Sequence, residues 1–337
     1  VHRTRMLIIF DNRRHCRLLS ALATARRRHD EVEDRMAAHA ILVVGSINYD
    51  LIVSQERLPR RGETLVSTGF RADPGGKGAN QAVQAARLGA SVRFVGAAGA
   101  DQHGEICRAA LEREGVECRL RPTDAAAGLG IVHVVGEGEV HATIVEGANA
   151  DVTGEWVDEN ADLVASSAVV VLQNEVPASA NERAVALAAA AGVPVVYNAA
   201  PARPVPLEVT RACAWFVVNE DEAAEYLGRP LGDVADDAAM RAAVAELAAF
   251  CDSVVLTLGS RGCYVLEGRR VEFVGAVPAR AVDTTGAGDS FIGAFAVALA
   301  DGVDPFSAAR TAALVASITV AGMGAQSSMP TREDLEA

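Results

Sequence analysis

Lysine is all but missing from this 337-residue chain: of 31 basic residues, 30 are Arg and one is Lys77. A lone lysine kept against that bias marks a position that needs a compact ammonium. Positive charge is short overall, with a formal net charge of -13. Residues 1–39 hold nine Arg against five acids, which leaves residues 40–337 at -17. So acidic a body repels phosphate backbones and excludes non-specific nucleic-acid binding. The six Cys (16, 107, 118, 213, 251 and 263) form no CxxC and no zinc-type cluster with His, which reads as reduced thiols in a cytoplasm. There is no HExxH and no GxGxxG, which weakens a nicotinamide or flavin reading. The uncharged stretches 184–202 and 311–331 are broken by Gly, Pro and polar residues, so neither is the ~20-residue apolar block a bilayer needs.

What is present starts at Ala40. Residues 1–39 alternate Arg clusters with HDEVEDR and sustain no apolar face, so they read as a disordered extension, with Met36 a candidate initiator. From there short β-branched runs end in Gly or polar residues: ILVVGS (41–46), SVRFVGAAG (91–99), AVVVLQNE (168–175), VPVVYNAAP (193–201), WFVVNEDE (215–222) and SVVLTLGSRG (253–262). Ala-rich segments with helical spacing lie between them, at 79–88, 104–114, 179–191 and 238–250. Runs apolar throughout predict parallel strands covered on both faces. The expected fold is α/β: a doubly wound, mainly parallel sheet flanked by helices, forming one domain over 40–337. Segments 50–74 and 128–149 instead alternate apolar and polar residues, with a hairpin turn at GEGE (136–139). They predict a small separate antiparallel sheet acting as a lid.

Ligands of open parallel sheets bind beyond the carboxyl ends of the strands. Those ends here carry Asn48, Asp50, Asp101, Glu175, Asn198, Asn219, Glu222 and Thr257. Asp101 reads as a helix N-cap; the series as a whole reads as one cleft. DPGGKGANQA (73–82) sets three Gly and Lys77 before a helix, an arrangement suited to close backbone approach to a ligand. It is not a Walker A loop, because Arg71 stands where its first Gly belongs and Gly78 where its Ser or Thr belongs. VDTTGAGDSFIGAF (282–295) runs into an apolar helix, and the N–H groups of 286–289 can form an anion pocket backed by the helix dipole. Asp289 would point into that pocket or cap the helix. At a helix N-terminus its pKa is expected to lie low.

GGKGANQA and DTTGAGDSF resemble the two signatures of the PfkB carbohydrate-kinase family, Asn219 to Glu222 its NxxE element, and TLGSRG (257–262) its nucleotide-binding strand end. The resemblance runs in order from about 41 to 334. GSINYD, VEGANA, NAAPA and GAQSSMP bring it nearest to the ribokinase branch. It implies an ATP-dependent phosphotransferase that converts a small-molecule sugar, D-ribose, to ribose 5-phosphate. It also implies roles. Asn48, Asp50, Gly76, Lys77, Asn80 and Glu175 would hold the sugar, and Asp289 would accept its proton. Gly286, Ala287 and Gly288 would form the anion hole, while Asn219, Thr257, Gly259, Gly262 and Gly288 would line ATP. Glu222 would meet Mg2+ through water. Asp283, Thr285, Thr319, Gly322, Gly324 and Ser328 would hold K+. A cytoplasmic homodimer paired through the lid is the expected assembly. Deoxyribose, fructose or adenosine kinases, and a non-catalytic sugar sensor, are the rival readings.

Overall fold

The computed structural model describes residues 40–136 and 139–336; residues 1–39, 137–138 and 337 lie outside the described residues, and with them the expected extension and part of the expected turn at GEGE. Among the described residues, thirteen strands run in chain order as β1 (Ile41–Val44), β2 (Asn48–Gln55), β3 (Gly69–Gly75), β4 (Val92–Gly96), β5 (Glu117–Leu120), β6 (Gly128–Val135), β7 (Glu139–Val145), β8 (Val169–Gln173), β9 (Val195–Asn198), β10 (Trp215–Asn219), β11 (Ser253–Thr257), β12 (Gly262–Glu267) and β13 (Arg270–Gly275). The helices are α1 (Lys77–Arg87), α2 (Gln102–Arg113), α3 (Gly154–Asp158), α4 (Ala161–Ala165), α5 (Ala178–Ala191), α6 (Leu207–Arg211), α7 (Glu220–Leu227), α8 (Asp237–Leu247), α9 (Ala287–Ala300) and α10 (Pro305–Thr319).

The main sheet has the order β13-β12-β11-β10-β9-β8-β1-β4-β5, with β12 and β13 antiparallel at one edge and the other seven strands parallel. Alternate residues of each strand face opposite sides. Ile41 and Val43 join α1, α9 and α10 in one core, while Leu42 and Val44 join α5 and α8 in the other. Both faces are therefore covered, which is why these runs lack polar alternation. Some helix starts carry side-chain caps: Asp101 accepts from the Gly104 N–H at 2.9 Å, and Asn219 with Glu222 forms a capping box at α7, whereas α1 and α9 have none. The helices start one or two residues earlier than their apolar spacing predicts, as at Lys77 rather than 79.

The small sheet has the order β3-β2-β6-β7. Its β2/β3 and β6/β7 pairs are antiparallel, but the central β2/β6 pair runs parallel. The cause is connectivity: β2 follows β1 and β6 follows β5, two parallel strands of the main sheet, so both leave it in the same sense. Strand order reverses between β1 and β8, since successive strands proceed outward from each in opposite directions. That switch point is where a parallel sheet opens a crevice beyond its strand ends.

Candidate active site

The crevice begins on β2. Asn48 and Asp50 are two residues apart and so share one face. Their cross-strand neighbours on β6 are Gly128 and Gly130, and Asn48 faces Gly75 on β3. The glycines make room: a Cβ at Gly130 would lie 2.1 Å from Asp50 Oδ1, one at Gly75 2.0 Å from Asp50 Oδ2, and one at Gly128 2.4 Å from Asn48 Oδ1. Sequence reasoning missed Gly128 and Gly130. Their signal was two glycines at strand spacing in GLG, a pattern that marks close approach by a neighbour. It also missed Asn149, whose Oδ1 accepts from the Ile47 N–H at 2.8 Å and whose Nδ2 donates to Ile47 O and Asn48 Oδ1 at 3.0 and 2.8 Å. Asn48 is thereby locked in a buried position.

Lys77 stands at the electrostatic centre. Burial alone would push its ammonium down, but Asp289, Glu175, Glu222 and Asp50 hold it above its usual range. The single lysine thus lies in the field of four carboxylates brought from four parts of the chain and offsets part of their charge. Glu175, at the end of β8, accepts from Ser46 Oγ at 2.6 Å and from the Lys77 N–H at 3.0 Å. Burial, reinforced by Glu175, Asp289 and Asp73 and opposed by Lys77, raises Asp50 to about 7. Close packing of like charges in a cleft is a hallmark of functional sites.

Asp289 lies buried in the first turn of α9. Asn80 Nδ2 donates to its Oδ2 at 2.9 Å and Gln81 Nε2 to its Oδ1 at 3.0 Å. Gln81 in turn accepts from Gln173 Nε2 at 2.8 Å and donates to Asn198 Oδ1 at 3.1 Å. This amide network links α1, β8, β9 and α9, and neither Gln81 nor Gln173 was singled out from the sequence. The low pKa expected for Asp289 is not found. Burial raises it, aided by Glu175, and outweighs the opposing Lys77 charge and the Asn80 and Gln81 hydrogen bonds. Desolvation defeats the helix dipole here because the carboxylate is enclosed rather than at a solvated helix end. Beside it, Gly286 has φ +78° and a Cβ there would meet Ala325 at 2.9 Å, whereas a Cβ at Gly288 would meet nothing within 4 Å. The start of α9 is therefore open at Gly288, and Ala287 N–H donates to Thr284 O at 3.3 Å.

The residues assigned to nucleotide and metals lie around this centre with mixed structural duties. Asn219 and Glu222 cap α7 reciprocally, each bond 2.8 Å. One Glu222 oxygen is thus committed to backbone. Burial raises Glu222 against the Asn219 N–H and Lys77. Among the described residues no group of three His, Cys, Asp or Glu could hold a metal ion. Glu222 fits an outer-sphere role toward a hydrated, phosphate-borne Mg2+. Thr257 Oγ1 donates to Val218 O at 3.4 Å, and Gly259 has φ +48°. Gly262 has φ +114°, and a Cβ there would lie 2.1 Å from Val274 O, so the β12/β13 pairing by itself demands a glycine.

In the K+ set the one charged member already has a cationic partner. Asp283 Oδ1 accepts from Thr285 N–H at 3.0 Å and Thr285 Oγ1 at 2.6 Å. Its Oδ2 accepts from Gly324 N–H at 3.0 Å and from Arg71 Nη2 at 2.5 Å. Thr319 Oγ1 donates to Val315 O at 3.0 Å, Ser328 Oγ to Gly324 O at 2.5 Å, and Gly322 packs against Ser328. With all four of these bonds, Asp283 faces a guanidinium where a bound monovalent cation would otherwise supply the positive charge.

The comparisons agree with this geometry. The family of pfkB carbohydrate kinases matches residues 38–332. The ribokinase of Bacillus subtilis (strain 168) is 35% identical over 297 residues, covering 88% of this chain and 98% of that protein. The deoxyribokinase of Salmonella typhi is 33% identical over 297 residues, covering 87% and 96%. The structure of Arabidopsis thaliana ribokinase complexed with ribose and ATP superposes with a TM-score of 0.79 at 34% identity, covering 88% of this chain and 97% of that one. Signatures, sheet topology and a match across nearly the whole described body converge: the chain belongs to the pfkB family of carbohydrate kinases.

Proposed function

We propose that this protein is an ATP-dependent ribose kinase, transferring the γ-phosphoryl group of ATP to the 5-hydroxyl of D-ribose to give ribose 5-phosphate and ADP. The observation that carries the reading is the buried Asp289, aimed by Asn80 and Gln81 beside the open start of α9. Phosphoryl transfer asks for positioning and charge neutralisation more than for covalent chemistry. Asp50 and Asn48, whose side chains fill the space left by Gly128 and Gly130, hold sugar hydroxyls. Asp289 orients the reacting hydroxyl and accepts its proton. A raised pKa makes it a better base than an ordinary aspartate. The N–H groups at the start of α9 stabilise charge on the transferring group. Glu222 would meet the waters of an Mg2+ carried with ATP, which would supply neutralisation of the phosphate charge. Lys77 offsets part of the carboxylate charge that an incoming polyanion meets.

With Mg-ATP and a panel of D-ribose, 2-deoxyribose, fructose and adenosine, kcat/KM is expected to be highest for ribose. A higher value for deoxyribose, the substrate named by one relative, would move the assignment within the family and leave the chemistry intact. Binding of ribose without turnover would instead support a sugar sensor.

We also assign a homodimer formed through the lid. Phe70 and Val66 are 66% and 86% exposed beside the β3 edge, and Ile144 and Val145 are exposed on β7. Unpaired strand edges with exposed apolar side chains favour pairing with a second copy. Light scattering is expected to give twice the chain mass, and Phe70→Glu to halve it; a monomeric parent would reject the dimer. We also propose a cytoplasmic location, supported by the five free thiols among the described residues. Cell fractionation tests that placement.

A further inference from the structure

Arg71, on lid strand β3, reaches 212 positions along the chain to Asp283. It is a half-buried pair: the Arg71 and Asp283 side chains are 26% and 13% exposed. Arg71 Nε lies 3.4 Å from Asp73 Oδ2, and its guanidinium also touches the Met323 sulfur. Asp283 in turn begins the segment that leads into Gly286, and it anchors that segment through Thr285 and Gly324. The Asp283 carboxylate stands at the entry to an anion-binding loop, and strand β3 of the small sheet brings the Arg71 guanidinium to it.

We propose that Arg71 is a built-in counter-cation for the anion-hole loop, taking the place of a bound monovalent cation at Asp283, so that this chain works without potassium. The proposal rests on the ribose-kinase reading for its activity arm alone. Arg71 is a positioning residue: it acts through Asp283 on the loop before Gly286 and is assigned no contact with sugar or nucleotide. Lys at 71 would keep the charge but not the fork, so it should rescue in part.

The test compares the parent, Arg71→Gln and Arg71→Lys in potassium, sodium and tetramethylammonium chloride at one ionic strength, by ribose turnover and by thermal melting. The parent is expected to show the same kcat within about twofold in all three salts and no potassium-specific rise in Tm. In tetramethylammonium, Arg71→Gln should lose about tenfold in kcat, a barrier change of ~1.4 kcal/mol. Potassium should restore most of it and raise Tm, while Arg71→Lys should stay nearer the parent. Activation of the parent by potassium more than fivefold, or an unimpaired Arg71→Gln in tetramethylammonium, overturns the proposal. If no variant turns ribose over in any salt, the kinase reading fails separately and the melts decide alone. A potassium-specific rise confined to Arg71→Gln upholds the counter-cation; any other pattern rejects it.

Discussion

Asp289→Asn is expected to lower kcat by ~10²–10⁴-fold, the usual cost of losing a general base, or roughly 3–5 kcal/mol of barrier. The carboxylate only accepts hydrogen bonds, so Asn80 and Gln81 must both turn their NH2 groups toward it. An asparagine offers one oxygen and one NH2. Its NH2 would face a donor, and Gln81 cannot flip without breaking its bonds to Gln173 and Asn198. The substitution therefore removes the proton acceptor and also disturbs the aim of the side chain. Ribose affinity should change less than turnover, because Asn48 and Asp50 sit on β2, outside this network, and of the sugar set Asn80 alone bonds to Asp289. Single-turnover kinetics with calorimetric ribose binding would separate the two effects. Turnover within a factor of five of the parent would reduce Asp289 to a structural residue and reject the mechanism.

Asp50→Asn is expected to do the opposite: weaken ribose binding by ~10²–10³-fold while stabilising the unliganded protein. Hydrogen bonds to a charged acceptor are each worth ~1.5–3 kcal/mol, and ionised Asp50 can accept two from a polyol. The stability sign follows from the pKa, raised from 3.8 to about 7 in the fold. A carboxyl that holds its proton more tightly when folded contributes stability below pH ~4, and loses it as pH rises through 7. The loss across that window is on the order of 4 kcal/mol. Asparagine cannot ionise, so its melting curve should be flatter between pH 4 and 7. At pH 8 its Tm should exceed the parent by several degrees, ~5 °C. In the parent, the ribose KM should rise as pH falls below 7, because sugar binding selects the ionised form. Ribose affinity within fivefold of the parent, or a lower Tm at pH 8, would contradict this account.

The parallel sheet was legible because a strand covered on both faces must be apolar throughout. The runs at 41–46, 168–175 and 253–262 give β1, β8 and β11 within a few residues. Asp101 was legible as a cap because its partner, Gly104, is three residues away. The Asp289 network was not, since Gln81 and Gln173 are 208 and 92 positions from their partners and glutamine carries no local signature. The parallel β2/β6 pair was hidden for the same reason: alternation predicts a strand, never its neighbour. The direction of the Asp289 shift was misjudged because enclosure depends on α1 and β8 packing over the helix start. Arg71 was visible as an exception to a phosphate-loop pattern, yet its partner lies in a segment assigned to a metal.

The three residues between Val44 and Asn48 also make β2 a lever with its fulcrum at Gly45–Ile47. At ~3.3 Å per residue from Ile47, Asp50 stands ~10 Å out, the Ile52–Arg71 rung ~17 Å and Gln55 ~26 Å. A turn of about 10° would then move Asp50 by ~2 Å, Arg71 by ~3 Å and Gln55 by ~5 Å, on the same spacing. The groups assigned to the sugar ride near the pivot, where travel is smallest. Arg71 rides farther out, where the same turn breaks its 2.5 Å contact with Asp283. On such an arm the latch lets go first, while the grip on the sugar is still within reach of its hydroxyls.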